Sequence, residues 1–500
     1  MVELKSNDGI LIMKKLLFVL WTAFCLCACG EKTTSVNPKF RFNENGKFKI
    51  AQLTDIHIHP GDVKSESVPD TILAVLAKEK PDLVIMTGDI VTRKPALQGW
   101  ELIMNMMKKA NIPYAVTMGN HDPEAMDRDS IYDLLMTDPL FVGEKGPQEL
   151  SGVGNFILPI GASDGSNQIK SLIYCLDSGD YPDIAETGSY AWIQWNQIAW
   201  YRQQSEEYTR MNGGQPIPSL AFFHIAVPEY RNINEENANV YGCSKEGSGV
   251  GAPDVNSGFL VSCLEKGDVM GIFVGHDHDD DYIGLQNKIA LAYGRVSGHD
   301  AYGDLERGAR IIELQEGKRQ FDTWIATPSG KSLAYYYPSA ITSDDEAMIP
   351  LPAKQVSPTK NGVSYIYYEG KFKHTDHFKT NGVKKDEGIM PNFSILNAPS
   401  KDHFGYEFKS YIHIPKTGVY NFYLYSDDGS LLYIDGQVVI DNNGSHSAAR
   451  KGGKIALEEG FHELHLLYFE DYMGQELKVK MSSRWMEEQY ISDKMVFLSE

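Results

Sequence analysis

The chain is poor in cysteine, carries no excess of positive charge and lacks an apolar run long enough to cross a bilayer. Only six cysteines occur in 500 residues; Cys25, Cys27 and Cys29 fall in one N-terminal apolar segment, leaving Cys175, Cys243 and Cys263. Three thiols close at most one disulfide among themselves, and no Cys-x-x-Cys spacing is present, so neither a zinc knot nor a redox pair is expected. Simple buried thiols are expected for all three. Lys and Arg number 47 against 67 Asp and Glu, a formal net charge of −20. That field repels polyanions, so nucleic-acid binding is not expected. No internal repeat with a period of roughly 20 to 50 residues is visible either.

What is present is globular. With 42% hydrophobic and 23% charged residues over 500 positions, the chain can bury a core, and its length predicts two domains plus connecting segments. Lys14 and Lys15 precede the apolar run 16–29, shorter than the roughly 20 residues a spanning helix needs and of the size of a signal-peptide core. The run ends Leu26-Cys27-Ala28-Cys29-Gly30, which resembles a bacterial lipobox. That resemblance implies a signal peptide over 1–29, lipidation of Cys29, and a lipid-anchored lipoprotein of the cell envelope, periplasmic or surface-exposed. An ordinary secretory peptide cut near Ala28 is the alternative. Residues 1–12 fit neither, and a start at Met13 would give a conventional signal peptide.

Two regions differ in periodicity. From 46 to 328 short apolar runs alternate with helical patterns, as in an α/β architecture; 49–53, 83–86, 114–118, 220–223 and 269–274 read as buried strands, and 70–80, 97–110 and 194–208 as helices. Pro- and Ser-containing residues 329–360 read as a linker. From 361 to 484, short aromatic and β-branched runs separated by Gly, Asp and Asn predict an antiparallel β-sandwich.

Clusters of polar residues close the apolar runs of the first region: Asp55-Ile56-His57, Gly88-Asp89, Gly119-Asn120-His121-Asp122, His224 and Gly275-His276-Asp277-His278. Ligand sites in α/β sheets lie beyond the carboxyl ends of the strands. Carboxylate, amide and imidazole donors gathered there suit two hard or borderline cations, with one carboxylate between them. In this order the blocks resemble the calcineurin-like metallophosphoesterase superfamily over about residues 48–325. The resemblance implies an α/β/β/α sandwich, with Asp55, His57, Asp89 and His278 on one metal and Asp89, Asn120, His224 and His276 on the other. It makes Asp89 the bridge, His121 the proton donor to the leaving oxygen, and Asp122 the residue that orients or tunes His121. The stretches 222–230 and 293–296 look like the purple-acid-phosphatase-like branch. Purple acid phosphatases carry a ligand tyrosine three residues after the Gly-Asp aspartate; Thr92 stands there in this chain. The ions therefore remain open among Mn, Fe and Zn, divalent or trivalent.

Weaker candidates surround this set. Arg295 and His299 could line a substrate pocket, His59 could line it or lie on an exposed loop, and the acidic residues at 277 and 279–281 are expected to be mostly solvated. In the second region, Ser426-Asp427-Asp428-Gly429 followed by Tyr433-Ile434-Asp435-Gly436 resembles the protective-antigen-type β-sandwich. Sugar-binding members hold calcium through paired aspartates, which carries over to Asp427 and Asp428, although Asp-Asp-Gly is also ordinary turn chemistry. The expected protein is thus an exported bimetal hydrolase of phosphate monoesters, working by metal-activated hydroxide attack, with a C-terminal domain for glycan. The alternatives are a phosphodiesterase on the same site and a glycan-binding surface lipoprotein with an inactive phosphatase domain.

Overall fold

The computed structural model describes residues 37–235, 239–244 and 249–499, so the expected signal segment and Cys29 lie outside the described residues. The first domain contains strands β1 (Phe40–Arg41), β2 (Lys47–Leu53), β3 (Leu83–Thr87), β4 (Tyr114–Thr117), β5 (Phe156–Gly161), β6 (Ile169–Cys175), β7 (Ser219–Phe222), β8 (Val269–Val274), β9 (Ile283–Gln286), β10 (Ile289–Tyr293), β11 (Ala309–Gln315), β12 (Phe321–Thr327), β13 (Gly330–Tyr337) and β14 (Ile341–Thr342). Its helices are α1 (Val63–Glu79), α2 (Ala96–Ala110), α3 (Asp122–Ala125), α4 (Arg128–Leu135), α5 (Trp195–Met211), α6 (Phe259–Lys266) and α7 (Ser343–Glu346).

Among the described residues these strands form two sheets, ordered β1-β5-β6-β7-β8-β10-β9 and β14-β13-β12-β11-β2-β3-β4. A strand points successive side chains to opposite faces, and the core divides accordingly. Ile173, Cys175, Leu220, Phe222 and Phe273 pack toward the other sheet, whereas Leu172, Tyr174, Ala221, Ile272 and Val274 pack with Ile198 and Tyr201 of α5 and Phe259 and Cys263 of α6. On the far side, α1 starts where the Asp62 side chain accepts the Lys64 amide at 2.9 Å. Its Val68, Ile72, Val75 and Leu76 are buried on one stripe and join the core of the second sheet. The result is four layers, helix–sheet–sheet–helix. Pairing is parallel in β2-β3-β4 and in β6-β7-β8-β10. The carboxyl ends of β2, β3, β4, β7 and β8 therefore meet at one edge of the sandwich.

The second domain is antiparallel. Strand Phe404–Ile414 pairs with Gly460–Glu470 along its whole length, and Gly418–Asp427 pairs with both Ala449–Leu457 and Glu476–Ser483. Phe408, Ile412, Leu432 and Leu466 of one sheet meet Tyr420, Phe422, Leu424 and Met481 of the other in a common core. Strand Pro358–Asn361 pairs with Val496–Ser499, so the sandwich runs past the expected end at 484.

The expected linker over 329–360 requires correction. Residues 330–337 form β13, with Ala334 to Tyr337 buried; its apolar aromatic content decides the local structure over the neighbouring Pro and Ser. This segment joins the two domains. Arg484 pairs with Asp322 at 3.1 Å and Glu346 at 2.8 Å, and its guanidinium lies 3.6 Å over the Tyr336 ring. Asn421 Nδ2 donates to the Ser339 carbonyl at 2.8 Å, Lys454 pairs with Asp345, and Val419 and Ala456 enter the core of the first domain. The thiols also need one correction: Cys175 and Cys263 are buried, but Cys243 is exposed.

Candidate metal centre

Each donor sits on a sharp turn that follows its strand. Asp55, His57, Asp89 and His276 all have positive φ, at 52°, 48°, 52° and 82°, a region that non-glycine residues enter at a cost and that clusters at functional sites. The turns also approach one another too closely for side chains at two glycines. A Cβ on Gly119 would lie 2.2 Å from Asp89 Oδ1, and one on Gly275 would lie 1.9 Å from Thr54 Oγ1.

The turns bring the predicted donors together in two groups, Asp55, His57 and His278, and Asp89, His224 and His276, each with ligand atoms within 4.8 Å of one another. His278 Nε2 is 3.3 Å from Asp55 Oδ1 and 3.2 Å from His57 Nε2. Asp89 Oδ2 lies 3.3 Å from His224 Nε2 and 3.7 Å from His57 Nε2, between the groups. Its other oxygen accepts the His121 amide at 2.8 Å. Asp55 is held by the Thr54 hydroxyl at 2.8 Å and the His276 amide at 3.0 Å. His224 Nδ1 faces the Thr87 carbonyl at 2.7 Å, which puts the proton on Nδ1 and leaves Nε2 to the centre.

Electrostatics suit cations. Burial holds the His57 imidazole down to about 4 and that of His276 to about 3, so both are neutral donors at physiological pH. Burial alone would raise Asp55, but His278 opposite outweighs it and the carboxyl falls to about 2. Burial likewise opposes charge on His224, yet Asp89 raises it to about 10, so a cation at Nε2 would have to displace a proton that Asp89 otherwise holds there. The buried Asn120 Oδ1 has no hydrogen-bond partner, and His224 Nε2 faces the Asp89 carboxylate at 3.3 Å. An uncompensated buried polar atom is costly, which favours a cation beside Asn120 on the Asp89, His224 and His276 side, while the convergent Asp55, His57 and His278 donors suit a second, so the residues present fit two metal ions.

Other expected residues have different positions. His121 is partly exposed beside the centre, its ring 5.9 Å from that of His57. Asp122 was expected to act on His121, but its carboxylate accepts the backbone amides of Asp89, Ile90, Val91 and Gly119 at 2.8–3.0 Å. It clamps two turns instead, and Glu124 meets His121 Nδ1 at 3.0 Å. Arg295 is buried, paired with Asp281 and donating to the Glu306 carbonyl at 3.0 Å, so it is a structural cation and not a pocket group. His299 places its ring nitrogens 3.3 Å from Ser67 and 3.0 Å from Thr71 of α1, tying that helix. His59 Nε2 lies 3.1 Å from Thr92, whose hydroxyl is 3.3 Å from His57 Nδ1. The acidic run is not solvated as expected. Asp280 and Asp281 are buried, and Asp277 accepts from Tyr293 and Gly251.

Residue spacing gave no sign of three tyrosines around the donors. Tyr302 stacks on His278 at 3.9 Å, Tyr190 meets His276 edge-on at 4.4 Å, and the Tyr181 hydroxyl accepts from Asn120 Nδ2 at 3.2 Å. They belong to loops far from the donors in sequence, and only the abundance of aromatics in those loops could have signalled them.

A protein named Probable inactive purple acid phosphatase 29, from Arabidopsis thaliana, is 33% identical over 352 residues, covering 63% of this chain and 90% of that protein. The profile described as calcineurin-like phosphoesterase matches residues 48–280. The chain belongs to the calcineurin-like phosphoesterase family. Phosphatase DCR2 of Saccharomyces cerevisiae is 30% identical to this chain over 316 residues, 56% of this chain and 54% of that protein. A dimetal phosphatase from Danio rerio superposes with a TM-score of 0.39 at 13% identity, covering 57% of this chain and 98% of that one.

The chain carries a second match, to the PA14 domain over residues 359–499, the protective-antigen-type sandwich. Its Asp427 and Asp428 gather with Glu470, a residue that spacing did not reveal because it arrives from a different strand end. Burial and the two aspartates push the Glu470 carboxyl up to about 8, and its Oε1 is buried without a partner. Three converging carboxylates fit one hard cation such as calcium. Asp428 also accepts the amides of His446 at 2.8 Å and Asp471 at 2.8 Å, which shapes the loops beside it.

Proposed function

We propose that the chain hydrolyses phosphate monoesters at the centre around Asp89 and holds glycan through its PA14 domain. The observation that carries this reading is the pair of donor groups sharing Asp89, with His121 beside them. Cations held by Asp55, His57, Asp89, Asn120, His224, His276 and His278 would supply Lewis acidity toward phosphoryl oxygens and lower the pKa of a bound water. The chain's residues do the rest. Backbone and hydroxyl donors lock the Asp55 and Asp89 carboxylates, Thr87 fixes the His224 tautomer, and His121 donates a proton to the leaving oxygen, a contribution of about 10²- to 10⁴-fold.

The names of the relatives pull in two directions. The Saccharomyces relative is called a phosphatase, which supports monoesters over diesters, but the Arabidopsis protein is called inactive. The donor set here is complete, and that supports turnover; a glycan-binding protein without turnover is the second reading. Assaying a metal-reconstituted chain on an alkyl phosphate monoester and its matching diester decides among them. Faster monoester hydrolysis is expected, preferential diester hydrolysis would replace the monoester assignment, and glycan binding with no ester hydrolysis would favour the second reading.

The Leu26-Cys27-Ala28-Cys29-Gly30 run supports export and anchoring at Cys29 to a bacterial envelope membrane. Labelling cells with a palmitate analogue should mark the chain and not its Cys29→Ala variant; equal labelling would overturn the assignment.

A further inference from the structure

Beyond the metal donors, the side chains touching Asn120 and His121 form one directed series. Asn120 Nδ2 donates to the Tyr181 hydroxyl at 3.2 Å, and that hydroxyl donates to Glu124 Oε1 at 3.3 Å. His121 Nδ1 lies 3.0 Å from the same Glu124 oxygen. An ionised carboxylate only accepts, so Glu124 sets every direction in the series. His121 must carry its proton on Nδ1, and Tyr181, whose hydroxyl hydrogen already points to Glu124, must accept from Asn120. The amide nitrogen is thereby turned to Tyr181, and the buried, unpartnered Asn120 Oδ1 is left for a cation.

The two supports are also tied together. Arg128, at the start of α4, pairs with Asp177 at 3.0 Å and Asp180 at 3.1 Å. That anchors the loop bearing Tyr181 to the chain segment just after Glu124.

We propose that Glu124 and Tyr181 are positioning residues which, through one carboxylate oxygen, set both the proton donor His121 and the ligand face of Asn120. The proposal rests on the chain being an active phosphoesterase. In the step, water supplies the oxygen that bonds to phosphorus and releases one proton to solvent, and the bond from phosphorus to the leaving oxygen breaks with its electron pair on that oxygen. His121 Nε2 gives its proton to that atom. Nδ1–H stays on Glu124, so the ring ends neutral and is reprotonated at Nε2 from solvent. The His121 and Glu124 side chains are 39% and 49% exposed, so water screens their charge attraction. Orientation, not charge stabilisation, is the main contribution.

The test uses the full chain loaded with Mn²⁺, a series from aryl to alkyl phosphate monoesters, and the variants Glu124→Ala, Glu124→Gln and Tyr181→Phe. Because a leaving group of low basicity needs no proton, Glu124→Ala should lose about tenfold in kcat/KM on the alkyl ester and less than about twofold on the most acidic phenol's ester. Glu124→Gln, which keeps an acceptor oxygen, should recover most of the loss. A uniform loss across the series, or none, would overturn the role of Glu124. Tyr181→Phe should weaken one of two Mn²⁺ binding events by about tenfold in calorimetry; unchanged binding would overturn the Asn120 half. Nitrogen-15 spectra of metal-free protein give a readout independent of turnover. His121 should be protonated at Nδ1 in the parent and shift toward Nε2 in Glu124→Ala, and an unchanged tautomer would contradict the pairing. If the parent hydrolyses no ester, the phosphoesterase reading fails while the spectra still decide the geometry.

Discussion

Asp122 accepts the backbone amide of Asp89 at 2.9 Å, so the carboxylate placed between the two donor groups is held through its main chain by a second buried carboxylate. The same side chain takes three further amides, from Ile90, Val91 and Gly119. Removing it leaves four buried donors unpaired. Asp122→Ala is therefore expected to lower stability by at least about 3 kcal/mol, since hydrogen bonds to a charged group contribute about 1.5–3 kcal/mol each and are not additive. Urea unfolding measures this, and a loss under about 1 kcal/mol would show that the clamp is dispensable.

Gly119 tests the approach of the turns. Its missing Cβ would fall 2.2 Å from Asp89 Oδ1 and 2.3 Å from the Asp89 amide, and neither atom can move without shifting the shared carboxylate. Gly119→Ala should keep its far-ultraviolet circular dichroism and bind fewer than two metals per chain by elemental analysis. Two retained metals would contradict the packing argument.

The joint between domains gives a third expectation. Arg484 is worth one cation–π contact of about 0.5–1 kcal/mol and surface ion pairs of about 0.2–1 kcal/mol. Arg484→Ala should cost about 1–2 kcal/mol and split a single calorimetric transition into two, with ester hydrolysis unchanged below the first. A variant that still melts in one step at the parent temperature would show that the apolar contacts of Val419 and Ala456 suffice.

In the PA14 domain, Asp427 contributes one carboxylate to the group with Asp428 and Glu470. Asp427→Asn should weaken calcium binding by about tenfold or more and abolish calcium-dependent retention on glycan arrays, without altering phosphatase turnover. Calcium titration by calorimetry reads the first effect directly.

The metal donors were legible because each block is short, local and placed where an apolar run ends, so one-dimensional spacing already encodes where the turn projects it. Tyr181 and Glu470 were not, since they arrive from distant segments that meet the other residues only after folding; Glu124 is local, three residues from His121, but its role shows only once Tyr181 reaches the same oxygen. Arg295 was misread for a related reason. Its partner Asp281 lies in a run whose charge suggested solvent, yet the pair is buried, with Arg310 of β11 donating to the Asp281 carbonyl. In the linker, counting Pro and Ser hid the aromatic strand Gly330–Tyr337, whose burial depends on pairing with β12. The four-layer sandwich followed from the resemblance; from the residues alone, β5 and β6 passed unrecognised.

The most direct test of the central claim is metal stoichiometry with ester turnover, measured on the same preparations of the parent chain and Asp89→Asn. Two metals per chain and metal-dependent phosphomonoester hydrolysis in the parent are predicted, with one metal or none and at least about a 10³-fold loss in the variant. Equal turnover in both, or a parent that is active after complete metal removal, would contradict a bimetal hydrolase centred on Asp89.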